Sequence, residues 1–259
     1  MKPLVLQLRE GAPARWDELA IDRTRVDALE RVLAEESRAS GQPPIALVDR
    51  VRRRVVASDR VGFVASRGFV VEVLPKFSGV DTVADVRQRF LQLLAWSGLA
   101  EWPPALASDA ELYRRPLPDL LVNLFQRELR RRLAKGPYRA YRGASGNSPV
   151  VRGRIAMAPQ LRQGDPDDRI ACTWRTFDVD VDLNRILAAA VRVVHREGAR
   201  GHDLLALLGD DVGWVDPRAA ARLGVTWDRR SEPWRPLVNL ARILLANGGV
   251  GWGHPSEAL

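Results

Sequence analysis

The sequence predicts an α+β protein: an N-terminal small α/β domain with a β-hairpin, then a helical domain carrying a projecting β-finger. Three observations predict it. Short runs rich in β-branched residues, Arg54 to Ala57, Val61 to Ala65 and Phe69 to Leu74, gather before residue 80. Beyond it, apolar residues recur at helical spacing. Between two of those helical stretches lies a segment of glycine, arginine and turn residues with no helical stripe, about 138–177. The domains therefore read 1–80 and 81–259, with the finger inserted in the second.

The elements follow in order. Leu4 to Leu8 alternates as a strand, and Asp22 to Glu36 sets Val26, Leu29, Val32 and Leu33 on one helical face. Ser66-Arg67-Gly68 turns the chain between the last two early strands, and Pro75 ends the second of them because proline cannot donate to a ladder. A helix over Asp81 to Ser97 presents Val83, Val86, Phe90, Leu93 and Leu94. Gly98 to Pro116, with Trp102-Pro103-Pro104, reads as a packed loop. A second helix from Leu117 to Leu133 stops at Gly136-Pro137. In the finger, Gly143 to Pro149 reads as a turn cluster, Val150 to Ile155 as a strand, Gly164 to Asp168 as another turn and Ile170 to Phe177 as extended. From Asp182 the clearest helix begins, with Leu183, Ile186, Leu187, Ala190, Val191 and Val194 in register and Asp180 or Asp182 as its cap. Shorter helices follow near His202 to Leu208, Pro217 to Leu223 and Pro236 to Ala246.

Composition narrows the function classes. The one cysteine, Cys172, excludes an internal disulfide framework and fits a reducing cytoplasm. Met1-Lys2-Pro3 leads into a strand that is charged too soon for a signal peptide, and no run of apolar residues is long enough to span a bilayer. The formal net charge is +8, but of the 40 basic residues only Lys2, Lys76 and Lys135 are lysines. Such an arginine skew reflects genome base composition as readily as a nucleic-acid partner.

Catalytic motifs are missing. His195, His202 and His254 have no zinc-ligand spacing, and there is neither a nucleophile elbow nor a phosphate-binding loop. The alternation Asp178, Asp180, Asp182 reads as helix-entry capping, since no glutamate follows to complete a calcium loop. Metal-dependent nucleases set a lysine two residues after a metal-holding acid. None of the three lysines here follows Asp or Glu at that spacing. No catalytic residue and no metal ligand is therefore assigned. The remaining chemistry lies in arginines of the irregular segment, Arg142, Arg152, Arg154 and Arg162, because a guanidinium on a projecting loop reaches a partner's phosphate or carboxylate with two parallel hydrogen bonds. Arg130-Arg131-Arg132 reads as the wet face of its helix.

Taken together, the strand end Val71-Glu72-Val73-Leu74-Pro75-Lys76, the helix with Phe90 to Trp96, Val151-Arg152-Gly153-Arg154-Ile155, Thr176-Phe177-Asp178 and Asp182-Leu183-Asn184-Arg185-Ile186-Leu187 resemble the McrC family of modification-dependent restriction systems. The R-G-R-I segment, followed roughly thirty residues on by D-x-N-R-I-L, carries most of that resemblance, and the likeness runs from about Val61 to Gly249. It marks Pro75, Lys76, Gly153, Asp178 and Asn184 as structural motif positions.

The resemblance implies a subunit that docks on a hexameric McrB AAA+ GTPase, inserts its finger into the ring and stimulates GTP hydrolysis. Arg142, Arg152, Arg154 and Arg162 are then the partner-facing residues. It also implies that GTP and Mg2+ belong to the McrB partner, that the system acts on 5-methylcytosine DNA, and that a PD-(D/E)xK nuclease domain, itself holding Mg2+, follows the last helix in the family. That domain is expected to be absent here, where the chain stops at Leu259, so this chain is expected to cleave nothing alone. The alternative is a DNA-binding accessory module without enzymatic activity, using the same arginines against phosphates.

Overall fold

The computed structural model describes residues 4–66, 68–79, 82–96, 113–163, 169–195 and 202–247. Strand β1 (Leu4–Arg9) runs parallel to β6 (Phe69–Leu74), and β5 (Gly62–Ala65) pairs antiparallel with β6 on its other side. β6 is buried along its whole length, as its almost unbroken apolar sequence demands of a strand covered on both faces. Period-two alternation then divides the sheet between two cores. Leu6, Leu8, Val64, Phe69, Val71 and Val73 face Val26, Leu29 and Leu33 of α1 (Arg23–Ser40). Phe63, Ala65 and Val70 face the opposite way, into the helical core.

Helix α1 starts where Asp22 accepts a hydrogen bond from the Arg25 N–H and ends at Gly41, whose φ of 68° closes it. It is a turn longer than the sequence periodicity predicts. A second sheet, β2 (Pro13–Arg15), β3 (Ala46–Asp49) and β4 (Arg54–Ala57), has β4 in the middle. Of its three strands only β4 was predicted.

The other face of the first sheet meets α2 (Val83–Trp96) and α3 (Leu117–Leu133). Here a carboxylate sits inside the apolar strand. Glu72 and Arg87 are 0% and 1% exposed, and Glu72 also accepts the Leu117 N–H while Arg87 donates to the carbonyls of Tyr113 and Arg114. One ion pair thus joins β6, α2 and the start of α3. The predicted loop over Gly98 to Pro116 lies mostly outside the described residues.

After α3 the chain enters the finger: β7 (Ala140–Ser148), β8 (Arg154–Ile155), α4 (Met157–Gln163) and β9 (Ile170–Asp178). It returns as α5 (Asp182–Val194), followed by α6 (His202–Leu208), α7 (Pro217–Arg222), a 3-10 turn at Glu232–Trp234 and α8 (Arg235–Asn247). α5 is the axis of the helical core, buried on nearly every side by α6, α7 and α8, and α3 packs on α8 and α6.

Four expectations change. Gly143 to Ser148 is strand, not turn, because the partner strand β9 supplies a register pair for every residue. The strand read over Val150 to Ile155 shrinks to two residues, and α4, too short for a periodic signal, follows it. Neither Asp180 nor Asp182 caps α5: its cap position is Val181, without a side-chain bond. Arg132 is not on a wet face; with Arg131 it closes on the buried Glu128. The predicted turn at Gly164 to Asp168 lies outside the described residues.

Candidate functional site

Ala140↔Asp178 to Ser148↔Ile170 form nine consecutive pairs, a two-stranded ribbon about 30 Å long at the usual strand rise. No described residue of 140–178 belongs to either hydrophobic core. The ribbon therefore stands off the body.

Two of the finger's glycines lie close to Trp174. A Cβ at Gly146 would lie 3.4 Å from the tip of the Trp174 indole. Gly153 has a φ of +72°, and a Cβ there would stand 2.3 Å from the Thr173 carbonyl oxygen and 2.9 Å from the Trp174 Cα. Only glycine fits this crossing. It lets the chain press onto β9 so that Arg152 reaches the Trp174 ring, 4.7 Å from its centroid, while Arg154 stands opposite Thr173. Neighbouring positions on β9 face opposite ways, so the two arginines of R-G-R leave from opposite faces.

A small interior holds the distal part together. Ala171 and Cys172 are buried, the Ala156 N–H donates to the Ala171 carbonyl at 2.7 Å, and the Gln160 side chain accepts the Ala171 N–H. Much of the rest of the described finger is exposed. Arg152, Arg154 and Arg162 are exposed, and beside them so are Val150, Val151, Met157 at 60% and Leu161 at 79%. Apolar side chains that exposed, interleaved with guanidinium groups, suit a surface that another molecule covers.

The root of the ribbon is different in kind. Asn184, wholly buried on α5, donates from one amide to the Tyr138 and Val179 carbonyls, 2.7 Å each, where the two strands join the body. Asp180 accepts Arg142 at 2.7 Å, Arg185 Nε and Nη2 at 2.7 Å each, and the Gly213 N–H at 3.0 Å. The Arg185 hydrogen bonds, aided by the Gly213 N–H, hold its carboxyl far below the usual carboxylate range. Tyr141 and Phe177 pair across the root at 5.1 Å, with Arg230 over Phe177.

Of the sequence-selected residues, Arg152, Gly153, Arg154 and Arg162 lie on the one segment, bearing β8 and α4, that is folded against β9, whereas Arg142 is engaged at the root. Asp178 lies 3.8 Å from Arg142 and accepts the Asp180 N–H. Pro75 closes β6, far from the finger in the fold's order, and the Lys76 N–H donates to Glu10 at 3.4 Å. Among the described residues, no three His, Cys, Asp or Glu side chains are grouped to hold a metal, and the aspartate series is matched by Arg142 and Arg185. Sequence reasoning missed Asp180, Arg185 and Trp174. The Asp-x-Asp-x-Asp alternation signalled the first, although it was read as capping.

A family model described as "McrBC 5-methylcytosine restriction system component" matches residues 55–251. No curated protein matches the sequence. Among solved structures, the chain is similar to one in the cryo-EM structure of the Thermococcus gammatolerans McrBC complex, with a TM-score of 0.66 and 21% identity over 92% of this chain and 79% of that one. It is also similar to one in a refined half-complex from a tetradecameric assembly of Thermococcus gammatolerans McrB AAA+ hexamers with bound McrC. There the TM-score is 0.64 and the identity 20%, over 92% of this chain and 63% of that one. At these identities the likeness is one of fold.

Proposed function

The chain belongs to the family of McrBC 5-methylcytosine restriction system components, and on that footing we propose that it is the McrC-like subunit that docks on a hexameric McrB-like AAA+ GTPase and stimulates its GTP hydrolysis. The observation that carries this reading is the ribbon of β7 and β9, which stands outside both cores and carries exposed Arg152, Arg154 and Arg162 among exposed apolar side chains on the segment folded against β9. A surface of that kind contributes nothing to either hydrophobic core, and inside a ring it places fixed positive charge against subunit interfaces.

In this reading the finger supplies position and charge. A guanidinium brought to a subunit interface stabilises negative charge that develops as a phosphoryl group is transferred, or orders the residues that do so. One asymmetric insert touching several subunits biases which interface is competent, which is a coupling free energy between two sites. GTP and Mg2+ belong to the ring. Recognition of 5-methylcytosine belongs to the assembled system, as does the nuclease, for which this chain shows no Asp/Glu-x-Lys motif. A cytoplasmic setting accords with the unpaired Cys172.

The test is a GTPase titration. Adding the chain to its cognate AAA+ GTPase raises the hydrolysis rate, and Arg152→Ala, Arg154→Ala and Arg162→Ala reduce the rate reached at saturation. Unchanged stimulation by all three variants overturns the finger reading. Tight DNA binding by the isolated chain that weakens steeply with salt supports the accessory-module alternative instead.

A further inference from the structure

We propose that Asp180 and Asn184 lock the finger and the helical body into one rigid lever, with Asp180 the positioning residue that sets where the fingertip meets the ring. The meaning for the ring rests on the function proposed above; the rigidity does not.

The argument begins with the geometry of a cantilever. A ribbon about 30 Å long magnifies any slack at its root, and about 10° of play there moves the tip by about 5 Å and the middle of the ribbon, where Arg152 lies over Trp174, by about half that. A guanidinium that must meet a fixed partner is held to a fraction of that distance when it acts well. The joint is made of two short connections, 134–139 before β7 and 179–181 after β9. Loops of that kind, left alone, swing.

Here they are bound. The Asn184 amide takes one carbonyl from each connection, Tyr138 and Val179, at 2.7 Å. The Tyr138 ring meets Trp234 edge-on at 6.3 Å. Asp180 then ties three parts of the chain at one carboxylate: Arg142 on the finger strand β7, Arg185 on α5, and the Gly213 N–H in the segment before α7. The Asp180 side chain is 14% exposed, so its charge-assisted bonds to the less exposed Arg185 are weakly screened, while the Arg142 bond lies nearer water. Of the four arginines selected from the sequence, Arg142 is the one bonded to carboxylates at the root. It fastens the lever, and the other three use it.

The same placement explains why the aspartate series precedes the helix without capping it. Asp178 ends β9, Asp180 lies in the connection where the Val181 N–H turns back to the Val179 carbonyl, and Asp182 opens α5; the middle one is bonded to the finger strand and the helix together.

The experiment is pulsed dipolar electron spin resonance on the full chain, with spin labels at Ser145→Cys on the finger and Ala219→Cys on α7 and the buried Cys172 left in place. The unsubstituted root gives one narrow distance distribution. Arg142→Gln cuts only the finger's side of the clamp and leaves Asp180 bonded to Arg185 and Gly213, while Asp180→Asn weakens the whole of it; both broaden the distribution, with circular dichroism and the main melting transition unchanged. An unchanged distribution in both variants, or a broad one in the parent chain, overturns the proposal. The parallel GTPase titration carries a second readout. A loose finger is competent only part of the time, so the concentration for half-maximal stimulation rises about tenfold while the rate at saturation stays. A lower saturating rate with no change in half-maximal concentration overturns the positioning role. If the parent chain stimulates no GTPase, the functional reading fails and the distance measurement still decides the rigid root.

Discussion

Arg87 closes on Glu72 with hydrogen bonds of 2.7 and 2.5 Å in a site shut off from water. Removing one member of such a pair strands the other's charge. Arg87→Met is expected to cost about 3–5 kcal/mol. The double variant Glu72→Leu, Arg87→Met regains part of this, but not all, because the Tyr113 and Arg114 carbonyls and the Leu117 N–H lose their partners at about 1 kcal/mol or more each. Urea unfolding of the full double-mutant cycle measures it, and a single-variant loss under about 1 kcal/mol would show that the pair is no staple.

Gly153→Ala tests the crossing in the finger. Alanine at that left-handed position costs about 1–2 kcal/mol before its Cβ meets the Thr173 carbonyl. The segment 152–154 is expected to lift from β9 while the body keeps its fold. In hydrogen exchange, amides from Ala171 to Trp174 lose protection and those from Ile186 to Val191 keep it. Full protection at both would show that the close approach matters little.

Arg152→Ala separates stability from function. The guanidinium over Trp174 is exposed, and such a contact is worth about 0.5–1 kcal/mol. Global stability should therefore move by less than about 1 kcal/mol. Loss of a charged hydrogen bond in the stimulated state, about 1.5–3 kcal/mol, lowers the stimulated GTPase rate about ten- to hundredfold. Equal losses in both assays argue that Arg152 serves the finger's own packing.

Glu36 on α1 is 8% exposed, and its Oε2 has no hydrogen-bond partner. Burial raises its carboxyl above the usual range, against a weaker pull from Arg60 and the Ser40 hydroxyl. The native state therefore keeps this proton to higher pH than the unfolded chain, where a glutamate releases it near about 4.3. Stability falls as pH rises from there through the raised native value. Glu36→Gln should raise the Tm at pH 7–8 and leave it unchanged at pH 4, as scanning calorimetry at the two pH values would show. A loss of stability at both would indicate a partner for the ionised carboxylate.

Several features were legible in the chain itself. The stripe from Leu183 to Val194 and the stripe in Leu117–Leu133 are local patterns, and both helices form where they are written. Gly136, with a φ of 88°, ends its segment as the Gly-Pro pair promised. The stretch from Gly143 to Ser148 misled, because a strand of small residues has no hydrophobic alternation and takes its order from β9, more than twenty residues later. Asp180 misled for a related reason: an aspartate before a helix is usually a cap, and its real partners lie at Arg142 and Gly213.

By itself, then, the sequence determined the longer helices, the strands β1, β4, β5 and β6, the presence of an arginine-bearing insertion and the family to which its motifs point. The tertiary structure decided which arginine fastens the finger and which face outward, why Gly153 separates two of them, and that Glu72 is neutralised across fifteen residues by Arg87. The division has one cause. Periodicity and capping depend on neighbours a few residues apart, whereas a charge or a glycine acquires its role from whatever the fold brings to within about 3–4 Å of it.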